Sequence, residues 1–335
     1  MYKIKQIPED FIVEEILDLK IEKEGKYSYF VLEKKNCNTV DAIRLISKKI
    51  KSDEKLINFA GTKDRNAITK QYISVNNCPI KKDAIINEQI SLKYLGQGNE
   101  RINLGSNKGN KFAITVRNLE KEEKISLKKI VNYFDEQRFS KSNVVIAHSL
   151  LKRDFKKACS FIDDDNLKKF LEKNPRNFVG ALRTVPKKIL QMYIHAFQSK
   201  IWNETAARMI EKNSKISKKV HYSEGIFIFP VNMDKIKNQN IPLLGFGTEK
   251  NAESKIAFEI LDKYDVGQRG FIFREIPEIS SDGESRNLFA EVSSFKYSYE
   301  NDELNQGMFK CTLEFELPKG SYATIALRQI FQEPF

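Results

Sequence analysis

Apolar positions along this chain repeat with a period of two near both ends and with a helical period in the middle. Close to the start, DFIVEEIL and KYSYFVLEKK are rich in β-branched and aromatic residues, and the region of Gly25 makes a turn between them; both predict strands. NTVDAIRLISKKI changes phase. Ile43, Ile46 and Ile50 fall on one helical face, Asn38 or Thr39 can cap the first turn, and Lys48 and Lys49 suit the negative pole of the helix dipole. LINFA and QYISV follow as short strands, so FAGTKDRNAITKQ spans a loop between them. GNKFAITVRNL predicts a further strand, with Phe112, Ile114 and Val116 alternating against Ala113 and Thr115.

From Ile130 to about Pro277 helices dominate. ILQMYIHAFQSKIWNETAARMI is the strongest, with Tyr193, Phe197 and Ile201 at i, i+4 and i+8, and AESKIAFEILDKY is another. Between them GIFIF predicts a short strand and NIPLLGFG a Pro/Gly loop. Strand character returns in LFAEVSSFKYSY. It is clearest in CTLEFEL, where Cys311, Leu313, Phe315 and Leu317 alternate with Thr312, Glu314 and Glu316. PKGSYA reads as a turn and TIALRQIF as a final helix. Strands, then helices, then strands predict an α+β domain interrupted by a helix-rich insertion. The chain has no internal repeat.

Length and composition agree with two folded domains: 335 residues, of which 41% are hydrophobic, supply enough apolar material for two cores. Fifty-seven Lys+Arg against forty-five Asp+Glu leave a net charge of +12, which favours polyanionic partners such as nucleic acid. Cys37, Cys78, Cys159 and Cys311 lie far apart, as do His148, His195 and His221; reduced thiols and no metal are expected. The N-terminal MYKIKQIPEDFIVEE lacks the apolar run of a leader, and no segment approaches the ~20 apolar residues of a membrane helix. A soluble, cytoplasmic protein is expected.

Three segments could carry chemistry. In FAGTKDRNAITKQ, Asp64 stands between Lys63 and Arg65, close to Gly61 and Asn66. Opposite charges favour an ionised carboxylate, suited to act as base or nucleophile, but the same residues also make a solvated turn. In GSNKGNKF, Lys108 and Lys111 could meet phosphates, Asn110 could hydrogen-bond a base, and Phe112 is either a stacking platform or the first core residue of its strand. In LPKGSYATIALRQ, Ser321 can cap the last helix, with Tyr322 and Arg328 nearby; helix N-termini bind anions, but the same residues make a hairpin-like turn with a good cap. The chain has no Gly-rich dinucleotide fingerprint and no P-loop, which disfavours nucleotide-cofactor enzymes, typical methyltransferases included.

Taken in order, these segments resemble the TruD family of tRNA pseudouridine synthases along the whole chain. KQIPEDFIVEE is similar to the family's lysine followed by P-E-D-F, and CNT precedes the first helix as it does there. FAGTKDRNAITKQ resembles the signature F-A-G-x-K-D-[KR]-x-A-[VI]-T-x-Q. GNKFAITVR, NYFDEQRFS and LPKGSYATIALRQ resemble three further motifs. The resemblance implies a pseudouridine synthase catalytic domain with a mostly antiparallel mixed sheet at 1–136 and 280–335, interrupted by a helix-rich α/β TRUD insertion domain at 137–279. It implies isomerisation of uridine in RNA, with uridine 13 of the tRNA D-arm as the usual target. Neither a cofactor nor an obligatory protein partner is implied.

By the same resemblance Asp64 is the catalytic carboxylate and Lys5 its countercharge. Phe112 stacks on a flipped uracil, Asn110 helps hold the site, and Tyr322 lies near the base. Lys63, Arg65, Lys108 and Lys111 are the expected RNA-contacting cations. A noncatalytic RNA-binding protein on the same scaffold is the rival reading. Asp135 and Ser140 stand where the family has glycines, which puts the turn geometry there in question.

Overall fold

The computed structural model describes residues 1–140 and 142–331. In chain order the elements are β1 (Phe11–Ile16), β2 (Tyr27–Lys35), α1 (Thr39–Ile50), β3 (Ile57–Phe59), β4 (Ile68–Asn76), β5 (Ala84–Asn87), β6 (Ile90–Gly98) and β7 (Gly109–Leu119). Next come β8 (Lys129–Val131), α2 (Asn143–Leu151), α3 (Phe155–Phe161), α4 (Asp165–Lys173), α5 (Phe178–Leu182) and α6 (Lys187–Asn213). After these follow β9 (Ser217–Tyr222), β10 (Gly225–Pro230), β11 (Asn240–Leu243), α7 (Lys255–Lys263), β12 (Glu284–Asn287) and β13 (Phe289–Glu291). The chain ends with β14 (Ser293–Asn301), β15 (Phe309–Pro318) and α8 (Ala323–Phe331).

The chain divides into two compact units, one made of Met1–Lys128 and Glu291–Ala323, the other of Lys129–Ala290 continued from Thr324. The NYFDEQRFS segment therefore lies within the second unit.

The first unit is built on a nine-stranded sheet in the order β14-β15-β7-β1-β4-β2-β6-β5, with β3 paired to β4. β1 and β4 run parallel and every other pair is antiparallel, which makes the sheet mixed but mostly antiparallel. The expected α+β class is the observed one. α1 begins where Asn38 accepts a hydrogen bond from the Asp41 N–H. Its face of Ala42, Ile43, Ile46 and Ile50 packs on Phe30, Leu32, Ile57, Ile73 and Leu92. Burial of each large aliphatic side chain contributes about 1.5–3 kcal/mol.

In the second unit α6 runs 27 residues and buries Tyr193, Phe197, Ile201 and Trp202. A helix covered on most sides is the centre of a small core, and the β9–β10 hairpin packs beside it; the Tyr133 hydroxyl donates to the Ile228 carbonyl at 3.0 Å. NIPLLGFG is not wholly a loop: Asn240–Leu243 pairs with β12 in a two-stranded sheet, where an edge position tolerates Pro242. LFAEVSSFKYSY is two strands, β13 and β14, separated at Val292; within β14 Ser294 has φ 55° and the pairing with β15 shifts register between Ser293 and Lys296. The β5–β6 hairpin and β9 were missed in the sequence. Asp135 has φ −97° and ψ 176°, which any residue adopts, and its carboxylate pairs with Arg328 at 3.2 Å. Ser140 is likewise outside the positive-φ region. Neither position requires glycine. Among the described residues no helix is long and apolar enough to cross a membrane.

One buried ionic cluster ties the N-terminal segment to the sheet. Arg117 on β7 holds Asp10 and Asp302 at 2.8 Å each and Glu303 at 3.0 Å. Burial by itself would raise the Asp302 carboxyl, but hydrogen bonds from the Asn118 and Leu304 N–H groups, Asn305 and Arg117 outweigh it and hold it at about 2. Removing the guanidinium leaves these carboxylates facing one another. We expect Arg117→Met to destabilise the protein by about 3–5 kcal/mol at pH 7 in urea denaturation. A depressed carboxyl stabilises fully above its unfolded value near 4, and that contribution is lost as pH falls through about 2. The deficit of the variant should therefore shrink across that window. A deficit independent of pH would contradict the ionic account.

Candidate active site

The loop 60–67 joins β3 to β4, and its backbone is held from beneath by side chains of the first unit. The Gln71 amide on β4 donates to the Gly61 carbonyl at 3.0 Å. Thr39 at the start of α1 donates to Gln71 Oε1 at 2.9 Å and accepts the Lys63 N–H at 3.0 Å. Lys34 on β2 donates to the carbonyls of Cys37 at 2.6 Å, Asp64 at 2.7 Å and Lys63 at 3.4 Å. Lys34, Thr39 and Gln71 are all buried. Burial pushes the Lys34 ammonium down to about 8, against the attraction of Cys37 and Asp64. Gly61 has nothing within 4 Å of where a Cβ would sit, so protein packing does not demand glycine there and its α-carbon faces open space.

With its backbone fixed, Asp64 projects its carboxylate to Lys5. Nζ of Lys5 lies 2.7 Å from Oδ2 of Asp64 and 4.0 Å from the ring centroid of Phe11. Both side chains are partly exposed, 20% for Lys5 and 32% for Asp64, so the pair is open to a ligand. Lys5 is left-handed at φ 56°, which costs a non-glycine residue about 1–2 kcal/mol and needs support on both sides. That support is present. Lys3 and Arg117 exchange backbone hydrogen bonds of 2.9 and 2.8 Å, and the Asp10 carboxylate accepts the Ile7 N–H at 3.1 Å.

Strand registers set the floor of the site. Lys34, Thr69, Val13, Phe112 and Phe315 are successive cross-strand partners over β2, β4, β1, β7 and β15. In the next row Leu32 pairs with Gln71, while Glu15 pairs with Asn110 and Asn110 with Leu317. Cross-strand partners share a face, and residues two apart do too. The fold thus brings Asn110 and Phe112 to the face that carries Lys34, Glu15 and Gln71. Gly109 lets β7 close on β15, since a Cβ there would lie 2.3 Å from the Leu317 carbonyl oxygen. The Phe112 ring packs on Phe11 and Phe315, at centroid distances of 6.5 and 5.5 Å, and is 6% exposed. In this structure it is a core residue of its strand. Asn110 Oδ1 is buried with no hydrogen-bond partner.

The expected cations separate. Lys63 turns inward, with Nζ 2.5 Å from Oε1 of buried Glu15, whose other oxygen accepts the Tyr72 N–H at 3.0 Å. It is committed to the interior and not to a phosphate. Lys111 falls on the opposite sheet face, across from Glu14 and Glu316. Lys108 is exposed and paired with Asp18. Arg65 is exposed on the Asp64 loop and makes no ion pair among the described residues. The half-buried Tyr322 follows a turn whose Lys319 N–H donates to the Lys108 carbonyl at 3.0 Å, and the Gly105 N–H donates to the Ala60 carbonyl at 2.7 Å. The three sequence segments therefore meet through their backbones.

Sequence reasoning missed Lys34, Glu15, Gln71 and Thr39. A signal existed for three of them. Lys34 is in phase with Phe30 and Leu32, Glu15 with Phe11 and Val13, and Gln71 with Ile73 and Val75. A polar residue in the apolar phase of a strand marks a buried hydrogen-bonding duty.

The model of the family tRNA pseudouridine synthase D (TruD) matches residues 2–168 and 164–330. The tRNA pseudouridine synthase D of Aquifex aeolicus is 31% identical, with 98% of each chain covered. A probable tRNA pseudouridine synthase D of Methanococcoides burtonii is 29% identical over 98% of this chain and 92% of its own. The crystal structure of the putative tRNA pseudouridine synthase D from Methanosarcina mazei superposes with a TM-score of 0.74 at 28% identity. That match covers 98% of this chain and 93% of the other. Fold, motif order and matches over nearly the whole length agree: the chain belongs to the tRNA pseudouridine synthase D (TruD) family.

Proposed function

We propose that this protein isomerises uridine to pseudouridine in tRNA in the cytoplasm, with uridine 13 of the D-arm as its target. The observation that carries the reading is the pair formed by Asp64 and Lys5, 59 residues apart in sequence and 2.7 Å apart in space. In the reaction N1–C1′ breaks, C5–C1′ forms, the C5 hydrogen leaves as a proton and N1 takes one up. Mass is unchanged and no redox partner is consumed. Asp64 is the carboxylate that acts on the nucleoside, and Lys5 is its countercharge while the bound base excludes water.

The nucleotide has to leave its stack, which costs a few kcal/mol and least in a loop. Asn110 offers an unpaired acceptor that an imide N–H of uracil would satisfy. Stacking on Phe112 requires the base to take a place that side chains now fill, and Tyr322 lies on the adjoining turn. On this reading segments 1–136 and 280–335 are the catalytic domain and 137–279 the TRUD insertion, which adds a second surface for a folded RNA read largely by shape.

Two outcomes test the proposal. Asp64→Asn should lower tritium release from C5-labelled uridine in a tRNA transcript by about 10³-fold or more, with tRNA affinity within about threefold of wild type. Normal turnover would remove Asp64 from the chemistry. Wild-type binding without conversion would favour the noncatalytic rival. Arg65→Gln should weaken tRNA binding uniformly and reduce the slope of log K against log salt by about one, whereas Lys111→Gln should leave both unchanged. An equal effect of the two would show that the sheet face does not sort these cations.

A further inference from the structure

Lys34 has no solvent exposure, and among the described residues no carboxylate lies within 4 Å of its Nζ. An ammonium buried without a counter-ion is expensive, by several kcal/mol even after relaxation. Its strand neighbours in phase, Phe30 and Leu32, are packed apolar side chains. A methionine at position 34 would continue their pattern at lower desolvation cost. The ammonium is therefore explained by what it contacts and not by the core it sits in.

Those contacts converge on the candidate active site. The Cys37 carbonyl ahead of α1 and the carbonyls of Lys63 and Asp64 all point at Nζ, the nearest two at 2.6 and 2.7 Å. Hydrogen bonds to a charged donor are about twice as strong as neutral ones. A carbonyl drawn down onto Lys34 fixes the peptide plane that follows Asp64, and the longer contact of Lys34 with the Lys63 carbonyl, at 3.4 Å, holds the plane that precedes Asp64. Two constrained planes leave the Asp64 side chain one direction of exit, which is the direction of Lys5.

We infer that Lys34 is a positioning residue for the reaction, whose buried ammonium holds the Asp64 peptide from beneath so that the carboxylate meets Lys5 and the substrate. This rests on the reading of Asp64 as the reacting carboxylate. Lys34 itself lies under the loop and touches no substrate. Its effect is on the placement of a reacting group, where an error of about 1 Å can cost 10²-fold in rate.

The experiment measures kcat, KM, tRNA affinity and urea stability for wild type, Lys34→Met, Lys34→Gln, Lys34→Ala and Asp64→Asn. Lys34→Met should lose about 100-fold in kcat, with KM and tRNA affinity within about threefold of wild type. Lys34→Gln, which keeps two donors, should fall between the two. Ethylammonium added to Lys34→Ala should recover about tenfold in kcat by filling the vacated channel, and should do nothing for Lys34→Met, where that channel is filled. If Lys34→Met does not fold, Lys34→Gln and the amine response of Lys34→Ala carry the test. A folded Lys34 variant with normal kcat, a loss that appears only in KM, or a loss matched by the fraction unfolded and indifferent to ethylammonium would each overturn the inference. Full activity in Asp64→Asn would instead bring down the reading beneath it.

Discussion

The first unit depends on satisfying the backbone of one short loop from below. Residues 60–67 lie between β3 and β4, and the Gly61, Lys63 and Asp64 carbonyls and the Lys63 N–H take side-chain partners in place of strand partners. Each unpaired buried group would cost about 1–3 kcal/mol. The sheet supplies the missing partners by placing Lys34 and Gln71 among apolar neighbours, and α1 adds Thr39 at its first residue. Three polar side chains then define a loop conformation that local propensity does not specify. Asp64 owes its direction to that arrangement, which turns its carboxylate toward Lys5.

The other half of the ion pair is built by different means. Lys5 lies ahead of the first strand, between the single bridge of Lys3 with Arg117 and the short 3-10 turn Pro8–Asp10. Its left-handed backbone persists because Lys3 is bridged to Arg117 and because Asp10 accepts both Arg117 and the Ile7 N–H. Arg117 is thereby the anchor of a countercharge it does not touch. Strain at Lys5 and the ionic cluster are linked terms: the cluster supplies the free energy that holds an unfavourable φ, and the unfavourable φ aims the ammonium across Phe11 at Asp64.

Much of this fold was legible in the sequence where one periodicity ran long enough to dominate. CTLEFEL, GNKFAITVRNL and the long helix through Tyr193 and Phe197 are such cases, and each is the element its pattern predicts. Legibility failed where a short element owes its existence to a partner. Asn240–Leu243 is a strand because β12 pairs with it, and its proline and following glycine point the other way. The site divides similarly. The expected contact of Lys5 with Asp64 is present, while the phase of the alternation puts Lys111 on the opposite sheet face and buries Phe112. Whether a cation on a loop faces in or out is set by tertiary partners. Lys63 beside a buried Glu15 could not be told from Arg65 beside open solvent.

That last contrast explains the crowding of charges in KDR. In sequence Asp64 has lysine and arginine as neighbours, and the simplest electrostatics would pair it with them. In the fold neither is its partner. Lys63 reaches down to Glu15, Asp64 reaches out to Lys5, and Arg65 is exposed with no ion pair among the described residues. Adjacent residues on an extended backbone project to opposite sides, so a cation next to a carboxylate is well placed to serve a different anion. Lys63 neutralises the carboxylate buried beneath the site, and among the described residues Lys5 is the one cation in direct contact with the Asp64 carboxylate. A single, partly exposed counter-ion is a weaker hold than two flanking cations would give. It leaves the carboxylate of Asp64 with lone pairs still free, which a reacting carboxylate needs.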